Sequence, residues 1–308
     1  MAIDSNAYHD RPTLQQLRYL VAVADHEHFG RAAASCFVSQ PALSAQVREL
    51  EHRLGANLIE RSARHVHVTE VGRQVVERAR TMLREVDELG ELARGELDGI
   101  VGPLHIGVIP TLSPYLLPRV VAVTHAQFAD AEIQLSERIT DELVSRLRKG
   151  TIDLALLATS VEEPDVVTEP IGVDPFFVAL PRSHPLAGDR GPLTLDDLAN
   201  TRMLLLSEGH CLRDQAEAVC FESSLPIADM QGTSLTTVVQ MVAAGQGATL
   251  LPAVACAVEA RPESGIVIRP LAPPAPHRTV VLAWRKRSPR AAHYHELARL
   301  LRPLLPGP

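Results

Sequence analysis

Cysteine is scarce in this chain, with four in 308 residues. So few cannot staple a disulfide framework, and a bridge in a cytosolic protein is usually transient or redox-sensing. The spacings of Cys36, Cys211, Cys220 and Cys256 match no zinc-ligand pattern, so no metal or other cofactor is expected. No apolar run approaches the ~20 residues that span a bilayer. Residues 1–10 have neither the basic start nor the apolar core of a signal peptide. A cytoplasmic protein without a membrane partner is the expectation. Lysine is nearly missing too, with only Lys149 and Lys286 among the 30 basic residues. High genomic GC content produces that bias as readily as phosphate recognition does, so it carries little weight.

The rest is ordinary globular material, 46% hydrophobic and 22% charged, long enough for two or three domains. A net charge of −7 speaks against nucleic acid until its distribution is read. Residues 11–84 hold eleven arginines against seven carboxylates, a balance of +4, which leaves −11 for the rest. That pattern joins a mildly basic module to an acidic one.

In the basic module, Leu14, Leu17, Leu20, Val21 and Ala24 share one face of a helix over 14–25. A turn at 26–28 leads to a short Ala-rich helix over 29–37. Ser39 then suits the N-cap of a third helix over 40–54, with Pro41 in its first turn and Gly55 to stop it. Two short helices joined by a tight turn fit a helix-turn-helix, whose second helix enters the major groove; an ordinary three-helix unit has the same pattern. Gln40, Ser44 and Arg48 would then reach bases and phosphates. Residues 57–69 read as two short strands around a basic turn, a wing whose Arg61 and Arg64 would hold phosphate.

The run Phe29-x-Arg31-Ala32-Ala33, Val38-Ser39-Gln40-Pro41-Ala42-Leu43-Ser44, Leu50-Glu51-x-x-Leu54-Gly55, Leu58-x-Glu60-Arg61 and Thr69-Glu70-x-Gly72 resembles the DNA-binding domain of LysR-type transcriptional regulators. One departure is Ile59, where the family usually has Phe, a swap within the core. The resemblance adds Arg31, Ser39 and Pro41 to the DNA-facing set. It implies a winged helix-turn-helix over 1–69, a linker helix over 70–98 and an α/β regulatory domain over 99–308. That last domain would resemble a periplasmic binding protein, with subdomain I at 99–174 and 278–308 and subdomain II at 175–277. Promoter DNA, RNA polymerase and further copies of the chain (dimer or tetramer) are the implied partners. The 4-3-4-3-4 spacing of Val75, Ala79, Met82, Val86, Leu89 and Ala93 agrees, since so narrow a stripe needs a partner helix. From Leu104 onward short strands alternate with helices, which reads as α/β with parallel connections.

Two cysteines lie nine positions apart in Ser207-Glu208-Gly209-His210-Cys211-Leu212-Arg213-Asp214-Gln215-Ala216-Glu217-Ala218-Val219-Cys220. A helix starting near His210 or Cys211 would aim unsatisfied N–H groups at the sulfur. With His210 and Arg213 beside it, the thiol should be partly ionised near neutral pH, although Glu208 and Asp214 oppose that. A small buried hydrophobe is the other reading of such a cysteine.

The octet Gly209–Ala216 with its second cysteine resembles the peroxide-sensing members of the same family. So do Ile109-Pro110-Thr111-x-x-Pro114-Tyr115-Leu116-Leu117-Pro118, Thr233-Ser234-Leu235 and Met241-Val242-Ala243-Ala244-Gly245. That resemblance makes Cys211 the peroxide-reactive thiol and Cys220 the resolving one. It places Thr111, Thr140, His210, Arg213, Asp214 and Arg278 around hydrogen peroxide. If residues 211–220 are helical, their α-carbons lie ~13 Å apart at ~1.5 Å per residue, while a disulfide needs about 4.4–6.8 Å. Oxidation would have to rebuild the segment. Two other readings stand: a regulator answering an organic effector in the cleft, and a thiol peroxidase, against which the helix-turn-helix argues. Cys36 and Cys256 are expected in cores.

Overall fold

The computed structural model describes residues 11–61, 66–93, 99–188 and 191–305. It divides into two compact units, Met1–Glu96 with Lys149–Thr151, and Leu97–Arg148 with Ile152–Pro308.

The first unit begins with helices α1 (Leu14–His26), α2 (Phe29–Ser35) and α3 (Gln40–Leu54). Local chemistry sets each boundary. Thr13 and Gln16 form a reciprocal capping box on α1. Ser39 accepts the Ala42 N–H at the start of α3, and Gly55 ends it at φ 63°. Leu43, Val47 and Leu50 form the buried stripe of α3 and pack with Leu17, Leu20 and Val23 of α1. Glu51 Oε1 accepts the Leu58 and Ile59 N–H groups at 2.9 and 3.0 Å, which fixes the chain leaving α3. The wing strands β1 (Ile59–Arg61) and β2 (Val66–Val68) pair antiparallel. Gly72 follows because a Cβ there would lie 2.1 Å from the Leu58 carbonyl oxygen. It lies in the first turn of α4 (Glu70–Ala93), whose Val76 and Ala79 are buried in the same core.

The second unit contains β3 (Gly102–Val108), α5 (Ser113–Gln127), β4 (Ala131–Glu137), α6 (Thr140–Arg148), β5 (Leu154–Leu157) and β6 (Val166–Pro181). There follow β7 (Met203–Leu206), α7 (Cys211–Glu222), β8 (Ile227–Gly232), α8 (Leu235–Ala243), β9 (Thr249–Pro252), α9 (Ala253–Glu259), β10 (Ile266–Pro270), β11 (His277–Arg285) and α10 (Ala291–Leu301). One sheet runs β10-β6-β11-β5-β3-β4, with β9 also paired to β6, and β7-β8 form a second.

Among the named strands of the described residues, the expected parallel pairing holds for β3 with β4 and β5, and for β7 with β8. Strand β6 pairs antiparallel with β9, β10 and β11, so the main sheet is mixed. Two cores result. One gathers residues of 100–171 and 280–305 around β3, β5 and β11. The other gathers residues of 176–271 around β7, β9 and α8. Strand β6 threads both, passing from one core to the other between Ile171 and Phe176.

Candidate functional site

The surface of α3 beside its buried stripe carries Gln40, Ser44 and Arg48 at i, i+4 and i+8, hence on one side of the helix. Gln40 and Arg48 are exposed and Ser44 is half-buried; Ser39 and Pro41 are exposed at the helix start. Arg31 is exposed in α2, its guanidinium donating to the His26 carbonyl at 2.9 Å. Arg61 is the last residue of β1, while Arg64 and the wing turn lie outside the described residues. A helix N-terminus flanked by exposed amide and guanidinium groups suits phosphate and base edges.

The second constellation sits where chain segments leave the sheet and a helix begins. After β3, Ile109-Pro110-Thr111 leads to α5; after β4, Ile139-Thr140 opens α6; and Gly209-His210-Cys211 opens α7. These eight residues line one recess. Gly209 has φ 89°, a conformation that favours glycine, and it lets the chain turn into α7.

Behind Thr111 lies Arg278, 2% exposed. Its Nη1 donates to Thr111 Oγ1 at 2.9 Å and its Nη2 to the Thr111 carbonyl at 3.1 Å. Its Nε donates to Asp174 Oδ2 at 2.9 Å. Asp174 Oδ1 also accepts the Val254 N–H, so each partner of this buried ion pair is further hydrogen-bonded, as burial of charge requires.

Burial pushes the Cys211 thiol up from its ordinary pKa, and the Asp214 charge adds to that. Arg278, the Thr140 hydroxyl and the Leu212 N–H pull the other way without winning. The expected partial ionisation is therefore corrected, because desolvation outweighs the helix start. The cation acting on the sulfur is Arg278, 67 residues away in sequence, and not the neighbouring Arg213. Arg213 donates to the Leu206 carbonyl at 2.8 Å and approaches Glu217 at 3.7 Å. Asp214 is exposed. Neither lines the recess: the i+2 position turns Arg213 away from Cys211, while Asp214, at i+3 and on the same side of α7, is exposed.

Among the described residues, buried polar atoms without a hydrogen-bond partner collect in this region: Thr140 Oγ1 and His210 Nδ1 in the recess, Ser136 Oγ at the end of β4 and Gln215 Oε1 on α7. Buried polar groups normally find partners, so the recess offers bonding capacity to a small polar guest. Neither the tie from Asp174 to Arg278 nor the place of Gln215 was foreseen. Asp174 had a sequence signal only as a charge beside Pro175, and Gln215 only as part of the octet.

Cys220 lies in the same helix as Cys211, 1% exposed, and all four thiols are free. Burial and Glu217 push Cys220 up to about 11; burial and Asp174 push Cys256 up to about 12. Cys256 is half-buried against the second core, its thiol 3.5 Å from the Pro252 carbonyl. Cys36 is half-buried at the C-cap of α2. Among the described residues no helix is long and apolar enough to cross a membrane.

Residues 14–73 match the bacterial regulatory helix-turn-helix protein, lysR family, and residues 97–306 the LysR substrate binding domain. The chain belongs to the LysR family. It is 43% identical over 295 residues to the DNA-binding transcriptional dual regulator OxyR of Escherichia coli K12, covering 96% of each. Among solved structures, full-length OxyR from Pseudomonas aeruginosa (a point variant) superposes with a TM-score of 0.76 at 37% identity, covering 95% of this chain and 98% of that one. A hydrogen-peroxide-bound mutant of Corynebacterium glutamicum OxyR gives 0.65 at 37% identity, covering 95% and 94%. The LysR architecture accounts for the winged helix-turn-helix and for the two-core α/β unit.

Proposed function

We propose that this LysR regulator senses hydrogen peroxide through Cys211 and Cys220 and converts their oxidation into a change in promoter binding. The observation that carries the reading is a reduced Cys211 at the first turn of α7, in a recess with Thr111 and Thr140, beside the buried Arg278 and on the same helix as a second free thiol.

The Cys211 thiolate attacks one peroxide oxygen; the O–O bond breaks, and a sulfenic acid and hydroxide form. Thr111, Thr140 and His210 bind the peroxide, and the Arg278 charge stabilises the departing hydroxide as an oxyanion hole would. The Cys220 thiol then attacks the sulfenic sulfur, forming the disulfide and releasing water. Two thiols are oxidised, one peroxide is reduced, and two waters result. Asp214 adjusts the charge around the thiol, and Arg213 anchors the first turn through the Leu206 carbonyl.

Because α7 spans both cysteines, the disulfide requires the helix to come apart. That makes α7 a bistable element set by oxidant, able to repack an interface between copies. Met82 and Leu89 on α4, 49% and 63% exposed, support a seam covered by a second copy. Dimers then read half-sites about 34–36 Å apart or multiples of that, and RNA polymerase is the further partner at the promoter. Arg31, Ser39, Gln40, Pro41, Ser44 and Arg48 are the DNA contacts in this reading, with Arg61 and Arg64 of the wing assigned to the same role.

Stoichiometric peroxide followed by mass mapping tests the reading. A Cys211–Cys220 disulfide with an altered footprint is expected, and Cys211→Ser abolishes both. A peroxide response that survives Cys211→Ser overturns it.

A further inference from the structure

Helix α7 has two faces that belong to two different cores. Leu212, Ala216 and Cys220, spaced four residues apart, are buried in the core of residues 176–271. Cys211 packs instead against the core built on β3, β5 and β11. Gln215 stands one turn after Cys211, at the spacing that puts both on one side of the helix. Its Nε2 donates to the carbonyl of Ala158 at 2.7 Å. Ala158 directly follows β5, is fully buried and is part of the same core that receives Cys211.

The other polar ties of α7 stay local. Arg213 bonds to Leu206, which shares a core with Leu212, and it approaches Glu217 within the helix. His210 gives the helix no side-chain cap. Beside the packing of Cys211, the Gln215–Ala158 bond is, among the described residues, the side-chain hydrogen bond that joins α7 to the core that receives Cys211. Cys220 cannot reach Cys211 while the first turns of α7 stand, so this bond must break in the second step. It need not break in the first, because Gln215 does not line the recess.

We propose that Gln215 is a latch on the reduced helix: its bond to the Ala158 carbonyl sets the rate and the equilibrium of disulfide closure without touching the peroxide. It is a positioning residue, and it fixes how much oxidant trips the switch. The inference rests on the reading of Cys211 and Cys220 as that switch. Its energetic basis is that a buried carbonyl stripped of its donor raises the free energy of the reduced state, whereas in the rebuilt segment no such bond has to be kept.

The two steps are measured separately in the full-length protein. Sulfenic acid formation is followed with a dimedone-type probe in a Cys220→Ser background, and disulfide closure by quenched-flow intact mass with both thiols present. In Gln215→Met, sulfenic acid forms within about twofold of the parent rate and closure speeds up about two- to fivefold, the cost of the lost bond and orphaned Ala158 carbonyl less the relief of removing the partnerless Gln215 Oε1. The equilibrium against glutathione shifts by a similar factor toward the disulfide. Gln215→Glu is the second variant. Its closure relative to the parent, measured at each pH, is fast at neutral pH and returns to parity in acid, where the protonated carboxyl regains a donor for Ala158.

Closure in Gln215→Met at or below the parent rate overturns the latch, and so does a Gln215→Glu ratio that ignores pH. If the parent itself makes no Cys211–Cys220 disulfide, the switch reading fails and the latch with it. That case is distinguishable, because parent and variants then all stop at the sulfenic or a higher acid of Cys211.

Discussion

Helices α3 and α7 both start at a residue with extended backbone, yet they are secured in opposite ways. The start of α3 is written into its own sequence: Ser39 caps it, Pro41 fits its first turn, and Gly55 at φ 63° ends it. Its stripe Leu43, Val47 and Leu50 points into one core. Helix α7 has no side-chain cap at His210 and no glycine at its end, where Ser223 is followed by Ser224 at φ 52°. Tertiary partners hold it instead, through Arg213, Gln215 and two cores. The helix proposed to meet DNA carries its own boundaries, while the helix that holds Cys211 and Cys220 borrows them. A switch needs that difference, since low local stability marks the elements that move.

The comparison can be broken first at its buried support. Arg278→Met leaves Asp174 charged and unpaired, which should cost about 3–5 kcal/mol of stability. Urea unfolding of the reduced protein checks this, and a loss below about 1 kcal/mol would mean the pair supports little.

Giving α7 the cap it lacks sharpens the contrast. His210→Ser should stabilise the reduced helix by about 0.5–2 kcal/mol and slow disulfide closure accordingly. Removing the cap that α3 has, with Ser39→Ala, should cost about 1 kcal/mol and weaken operator binding. Melting curves and closure kinetics report the first, melting and titration with promoter DNA the second. At the lower end, Gly55→Ala should cost about 1 kcal/mol through backbone conformation alone, since a Cβ there meets nothing within 4 Å.

The thiols give a pH test of the same contrast. Burial holds the Cys211 pKa above its ordinary value, so the reactive thiolate is a minor form at neutral pH. The rate of sulfenic acid formation should keep rising from pH 6 to at least pH 8.5, without a plateau; a plateau near pH 6 would show a thiol already ionised. Cys220, pushed up to about 11, stays protonated in the fold where the unfolded chain loses its proton. Stability from this group is complete below about pH 8.5 and falls as pH rises toward 11. Cys220→Ala should flatten that alkaline slope in pH-dependent unfolding.

The same division explains what was legible in the sequence. The boundaries of α3 came from Ser39, Pro41 and Gly55, residues whose effects act within one turn. The start of α7 at Cys211 was legible for a like reason, since Gly209 precedes a run of helix formers. Strand β6 runs 16 residues where short strands were expected. Pro170, Gly172 and Pro175 interrupt the pattern, although pairing with β11 carries the strand through from Val166. Strands β8 and β10 and helix α9 are short and set by tertiary contacts, so their sequences carry little signal. At the site, Thr111, Thr140, His210 and Cys211 come together in the recess, with Arg278 behind Thr111. Arg213 and Asp214 do not: the i+2 position turns Arg213 to the other side of α7, and Asp214, though at i+3, is exposed. The thiol's protonation was misjudged because burial depends on the whole fold and the neighbouring charges do not report it.

Amide hydrogen exchange before and after one equivalent of peroxide tests the central claim most directly. On formation of the Cys211–Cys220 disulfide, residues 211–222 should lose their helical protection while residues 40–54 keep theirs. A disulfide formed with 211–222 still protected, or protection lost equally from both helices, would contradict the account.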